Sequence, residues 1–189
     1  MKSRLQGPRP LVIFGMAIAV GTELCGDFFS RRDRNQVINE ADLSHLREAI
    51  AASRSARDRG NAPYGAVLVD ADGNRLATAE NTQIVGQDCT GHAETNLVRS
   101  IGTTVDRSVL NLSTLYASGE PCAMCTGAIH NAGIGRLVFA LSQARMREIA
   151  ASTDGIAIGA DELLSRAQPK VIVEGPVLED EAAQVLLGN

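Results

Sequence analysis

The 189-residue sequence contains no tryptophan, two tyrosines, four phenylalanines and three histidines. So few aromatics leave little surface on which unpaired nucleic-acid bases could stack, the usual way proteins hold single-stranded RNA. No apolar run approaches the roughly twenty residues that cross a bilayer; the longest lies between Leu11 and Val20. Four cysteines in a chain of this size make no disulfide framework, and two of them in C-x-x-C suggest a reducing, cytoplasmic setting with a metal or redox role. There is no internal repeat, no low-complexity tract and no sign of a second folded domain.

What is present is ordinary for a globular protein. Hydrophobic residues make up 44% and charged residues 21%, enough apolar content for one well-filled core. Charge is uneven along the chain. Residues 1–36 carry six basic and three acidic residues, and 37–189 the remaining twelve and nineteen, so formal charges of +3 and −7. A surface built to neutralise many phosphates would be basic, so a polyanionic partner is not the expected one.

The first 36 residues stand apart, with basic residues, a short apolar run and then a polar stretch. Three readings stay open: a weak signal-like segment, a disordered extension, or a translation start placed upstream of a native one at Val37. The folded domain is expected over 37–189.

From Asn39 the pattern is regular. Asn39 is placed to cap a helix whose Leu43, Leu46, Ala49 and Ile50 recur at helical spacing, with His45 on its solvated face and Gly60 at its end. "YGAVLVDADGNRLATAEN" reads as two strands joined at Asp72-Gly73. A polar loop leads from Thr82 to a helix over about 92–101. "STLYAS" is a strand, and Pro121 is expected at the first position of a helix reaching about Asn131. A strand at "RLVFAL", a helix near 143–150, a strand at "KVIVEG" and a helix at "EDEAAQVLL" complete the chain. After the hairpin, strands alternate with helices, which implies a mixed sheet covered on both faces.

Two segments carry chemistry, "TGHAETNLV" (90–98) and "GEPCAMCTG" (119–127). Cys122 and Cys125 fall one turn apart at a helix start, where unpaired N–H groups favour thiolates. Three readings follow. Cys122 and Cys125 could be a redox pair. With Cys89 and His92 they could form a closed structural zinc site. Or His92, Cys122 and Cys125 could hold a catalytic zinc with an open fourth position for water, Glu94 serving as the acid–base beside it. His130, on the cysteine helix, reads as a packed or surface residue.

"HAE" at 92–94 and "EPCAMCTGAI" at 120–129 resemble the cytidine/deoxycytidylate deaminase superfamily, in the branch of guanine deaminase, fungal-type cytosine deaminase and tRNA adenosine deaminase. "APYGAVLVDADG", "AENT" and "IGRLVFAL" extend the resemblance over about 39–187. It implies a three-layer α/β/α sandwich around a mixed five-stranded sheet, one Zn2+ per chain and assembly as a homodimer. By the same resemblance, Asn81 and the Ala93 backbone contact substrate, Glu94 shuttles protons, Glu120 and Pro121 shape the ligand loop, and Tyr64 lines the pocket. The reaction implied is hydrolytic deamination of a base, amine to oxo with release of ammonia. The acidic C-terminal segment "VLEDEAAQVLLGN" lacks the basic, aromatic tail common in the tRNA enzymes. A small nucleobase or nucleoside is therefore expected, purine favoured, with tRNA adenosine and cytosine-type substrates as alternatives.

Overall fold

Asn39 begins the first helix with a reciprocal cap. Its side chain accepts from the Asp42 N–H at 3.0 Å, and the Asp42 carboxylate accepts from the Asn39 N–H at 2.9 Å. The computed structural model describes residues 38–102 and 104–188; the readings offered for 1–36 lie outside the described residues. Helix α1 (Glu40–Asp58) ends at Arg59, and Gly60 follows in the left-handed conformation, φ +83°.

Strands β1 (Gly65–Val69) and β2 (Arg75–Glu80) form the expected antiparallel hairpin, with Gly73 at φ +86° in its turn. A one-turn helix α2 (Gln83–Gly86) interrupts the expected polar loop, because the Asn61 side chain accepts from the Ile84 and Val85 N–H groups. Helix α3 (Ala93–Ile101) is followed by a short α4 (Arg107–Leu110) that periodicity did not reveal, four residues being too few to show a period.

Strand β3 (Thr114–Gly119) leads to α5 (Ala123–Ala132), which begins two residues later than expected. Cys122 is its N-cap, so Pro121 sits one residue outside the helix rather than at its first position. Strand β4 (Arg136–Leu141) and α6 (Gln143–Ala150) fall where the pattern placed them. A further short helix α7 (Ala160–Leu164) precedes β5 (Ile172–Glu174), only half as long as expected, and α8 (Glu179–Leu186) closes the described chain.

The sheet order is β2-β1-β3-β4-β5, antiparallel across the first three strands and parallel across β3-β4-β5. Alternating side chains feed two cores. Ala66, Leu68, Leu115, Leu137 and Phe139 pack with α3, α5 and α7 on one face. Val67, Tyr116, Val138 and Ala140 pack with α1 and α8 on the other. This is the expected three-layer arrangement. Gly65 lets α1 lie directly on β1, since a Cβ there would fall 2.4 Å from the Ala49 carbonyl oxygen.

One ion cluster is buried beside α1. Arg136 and Asp42 are each 2% exposed; the guanidinium donates to Asp42 and, through Nε, to Glu174 at 2.6 Å. The Tyr116 hydroxyl donates to the same Asp42 at 2.7 Å. His45 lies against Tyr116 with ring centroids 5.2 Å apart and its side chain only 16% exposed, so it is not on a solvated face. No helix among the described residues is long and apolar enough to cross a membrane.

Candidate active site

Both chemistry-bearing segments start helices on the same end of the sheet. His92 caps α3 and Cys122 caps α5, each with extended backbone, so each side chain projects from a helix start. Cys122 follows the C-terminal end of β3, and α6 follows that of β4. Crevices at such strand ends are where open α/β sheets bind ligands.

His92 Nδ1 lies 3.7 Å from Cys122 Sγ. The His92, Cys122 and Cys125 donor atoms all fall within 4.8 Å of one another. A tetrahedral zinc with Zn–N near 2.0 Å and Zn–S near 2.3 Å separates its donors by about 3.5–3.8 Å. One nitrogen and two sulfurs at this spacing fit that ion. Cys89 is exposed and outside the group; His130, half-buried on α5, is outside it as well.

The two thiols differ. The Cys125 thiol hydrogen-bonds the Cys122 sulfur, which burial opposes and His92 reinforces, and Cys122 falls to about 4. Accepting that bond, the Cys122 thiolate in turn pushes Cys125 up, with burial adding to the effect. Its bond to Cys122 raises His92.

Glu94 is 5% exposed, and burial raises its carboxyl above the usual range despite bonds from its own N–H and from Cys125. It borders a cavity of ≈ 270 Å³ with His92, Cys122, Tyr64 and Glu120. Burial first, and then the Glu94 charge, raise the Tyr64 hydroxyl. Gly119 also borders the cavity. A Cβ there would meet Met146 Sδ at 2.9 Å and the Tyr64 ring at 3.3 Å, so only glycine keeps these two walls in place.

The other expected contacts divide. Ala93 is fully buried, and its N–H, at the first position of α3, has no acceptor among the described residues. Asn81 is also fully buried but is not among the cavity-lining residues. Its Nδ2 donates to Gln83 Oε1 at 2.8 Å, and its Oδ1 accepts from the Gln83 N–H at 3.0 Å. Pro121 is buried behind the ligand loop, its carbonyl accepting from Gln143 Nε2 at 3.0 Å.

Glu120 does something the sequence did not suggest. One carboxylate oxygen accepts from the Gln143 N–H and the other from the Ala160 N–H, both at 2.8 Å. These are the first residues of α6 and α7, so one side chain caps two helices. Between them runs 151–159, whose Ser152, Asp154, Gly155 and Ile156 line the outer cavity. Gln143, Met146 and Arg147 complete that wall. Glu120 thus clamps the starts of the two helices that flank 151–159.

Comparison with known proteins agrees with this geometry. Residues 39–141 match the family described as the cytidine and deoxycytidylate deaminase zinc-binding region. A probable cytosine deaminase of Schizosaccharomyces pombe is 40% identical over 148 residues, 77% of this chain and 90% of that protein. A tRNA-specific adenosine deaminase of Haemophilus influenzae is 40% identical over 110 residues, 58% of this chain and 64% of that relative, under two thirds of its length. The solved guanine deaminase of Nitrosomonas europaea superposes with a TM-score of 0.67 over 92% of this chain and 97% of that one. At 20% identity it is a likeness of fold alone. On the matched region and the 40% identity to a relative covered almost in full, this chain belongs to the cytidine and deoxycytidylate deaminase family.

Proposed function

We propose that the protein is a zinc-dependent hydrolase that converts the amine of a small nucleobase or nucleoside to an oxo group, releasing ammonia. The observation that carries this is the convergence of the His92, Cys122 and Cys125 donor atoms, within 4.8 Å of one another, beside the Glu94 carboxyl in one cavity.

His92, Cys122 and Cys125 hold the metal. Zinc bound there supplies a Lewis acid that makes water a usable nucleophile near neutral pH. Glu94 takes one proton from the attacking water and delivers it to the ring nitrogen, then takes the second from the hydroxyl added to the ring carbon and delivers it to the departing amine. The Ala93 N–H donates to an acceptor on the base. Asn81 keeps a second N–H and a second lone pair for substrate while Gln83 holds its orientation. Tyr64 walls the ring; Glu120 and Pro121 hold the loops that carry these groups. This open three-ligand reading leaves Cys89 without a metal role, in keeping with its exposure.

A cavity of ≈ 270 Å³ lies just under the roughly 300–1,000 Å³ typical for drug-sized ligands, which suits a free base or small nucleoside. The acidic balance of 37–189 supports the same choice over tRNA. Purine is the first reading. Cytosine is the second, favoured by the 40% identity to a probable cytosine deaminase across 90% of its length. A reducing, cytoplasmic setting suits the thiol ligands. Assembly as a homodimer is implied by resemblance and is read directly by light scattering after gel filtration.

The test is ammonia release from guanine, adenine, cytosine, their nucleosides and a tRNA anticodon stem, with wild type and Glu94→Ala in parallel. Zinc-loaded wild type should act on a small base or nucleoside and Glu94→Ala on none. Zinc binding without ammonia from any of them overturns the reading.

A further inference from the structure

Arg147 lies on α6 one turn after Gln143 and borders the cavity that holds Glu94. Its Nη2 donates to the Ile156 carbonyl at 3.1 Å and to Gln143 Oε1 at 3.4 Å. These two bonds fix the plane of the guanidinium against the wall. Its Nε–H and Nη1–H groups have no acceptor among the described residues, and it has no carboxylate partner there. Asp154 borders the same cavity without forming an ion pair with it.

A guanidinium keeps its charge at any working pH and has no acceptor of its own. Placed on a wall shared with Tyr64, Met146 and Ile156, its open donors favour a ligand that brings an oxygen to them. A phosphate would satisfy them, but the small cavity and the −7 balance of 37–189 disfavour a dianion. A neutral ring carbonyl fits both limits. Arginine reading a base carbonyl is also the commonest specific base contact in nucleic-acid recognition.

We propose that Arg147 is a specificity-determining residue that binds the ring carbonyl of an amino-oxo base, guanine-like or cytosine-like, and so selects such bases over adenine. This rests on the deaminase reading above.

The test uses two substrate pairs, each differing in the ring carbonyl and its lactam proton: guanine against 2-aminopurine, and cytosine against 4-aminopyrimidine. Wild type should favour the carbonyl-bearing member of its pair in kcat/KM by roughly tenfold to a hundredfold, the scale of a charged hydrogen bond. Arg147→Ala should bring that ratio close to one, mostly through KM, and Arg147→Lys should keep part of it. Circular dichroism and bound-metal content establish that the variants fold. The pair that reacts separates purine from pyrimidine. Calorimetric binding of hypoxanthine against unsubstituted purine, and of pyrimidin-2-one against pyrimidine, asks the same question without turnover. Wild type should prefer the carbonyl-bearing ring in the class that it binds, and Arg147→Ala should not. An unchanged ratio in Arg147→Ala, with activity lowered uniformly, overturns the proposal and makes Arg147 only an anchor of 151–159. Adenine as the preferred substrate overturns it as well. If wild type releases no ammonia from any base, the deaminase reading falls; calorimetric binding by wild type that does not favour the carbonyl-bearing ring in either the purine or the pyrimidine pair sinks the Arg147 assignment separately.

Discussion

His92 Nδ1 stands 3.7 Å from Cys122 Sγ although thirty residues separate them. Two helix starts at the same end of the sheet bring the atoms together, and Cys125 completes the group one turn further on.

Metal content tests that group directly. Wild type should bind about one zinc per chain by elemental analysis, and Cys122→Ser or His92→Ala should lose most of it. Cys89→Ala should keep it; a large loss there would mean a closed four-ligand site. Because an ion that binds only the folded chain stabilises it by mass action, chelation should lower Tm and zinc should restore it.

Glu94→Gln separates chemistry from assembly. It keeps the shape of the side chain and leaves the three donors in place, so bound zinc and Tm should hold. Activity should fall by about 10²–10⁴, the usual contribution of a positioned acid–base. Retention of more than a tenth of wild-type kcat would remove Glu94 from the proton path.

Glu120→Ala removes two helix caps at once. At about 1 kcal/mol per cap the fold should lose about 2 kcal/mol, read by urea denaturation. With α6 and α7 loosened at their starts, 151–159 between them should be cut sooner in limited proteolysis, and KM should rise more than kcat falls. Glu120→Gln should lie between, since its amide keeps one acceptor. Unchanged proteolysis would show that the clamp does not hold this segment.

The buried ion cluster predicts a pH limit. Burial acts to raise Asp42, but bonds from Arg136, the Asn39 backbone and Tyr116 outweigh it and hold the carboxyl below its ordinary range. A carboxylate depressed in the fold contributes stability that is present above its unfolded value near 3.9 and is lost as pH falls through its lower folded value. Asp42→Asn should therefore flatten the acid side of the stability profile, measured as Tm against pH. Arg136→Ala, which strands that carboxylate, should cost about 3–5 kcal/mol near pH 7.

Local signals carried far in this chain. The Asn39 cap and the Asp72-Gly73 turn each name an element whose forces act within a few residues, and each appears where expected, as does the helix near 143–150. The helices α2, α4 and α7 were not legible. Each has four or five residues, and N–H groups in the first turn of α2 and of α7 donate to the distant Asn61 and Glu120 side chains. His45 was misjudged for a similar reason. Its place on α1 looks solvated until Tyr116 from β3 is packed against it.

The sequence by itself determined the residue types of the candidate metal group and their helix-start positions, because capping, thiolate chemistry and C-x-x-C spacing are local. It also determined that Glu94 would accompany His92. Only the tertiary structure decided that thirty residues of chain close to 3.7 Å, that Cys89 stays out, and that Asn81 is held by Gln83. It also decided that Glu120 reaches across to both α6 and α7 and that Arg147 borders the cavity. Those outcomes depend on how the sheet and its two helical layers pack, and no window of a few residues contains that information.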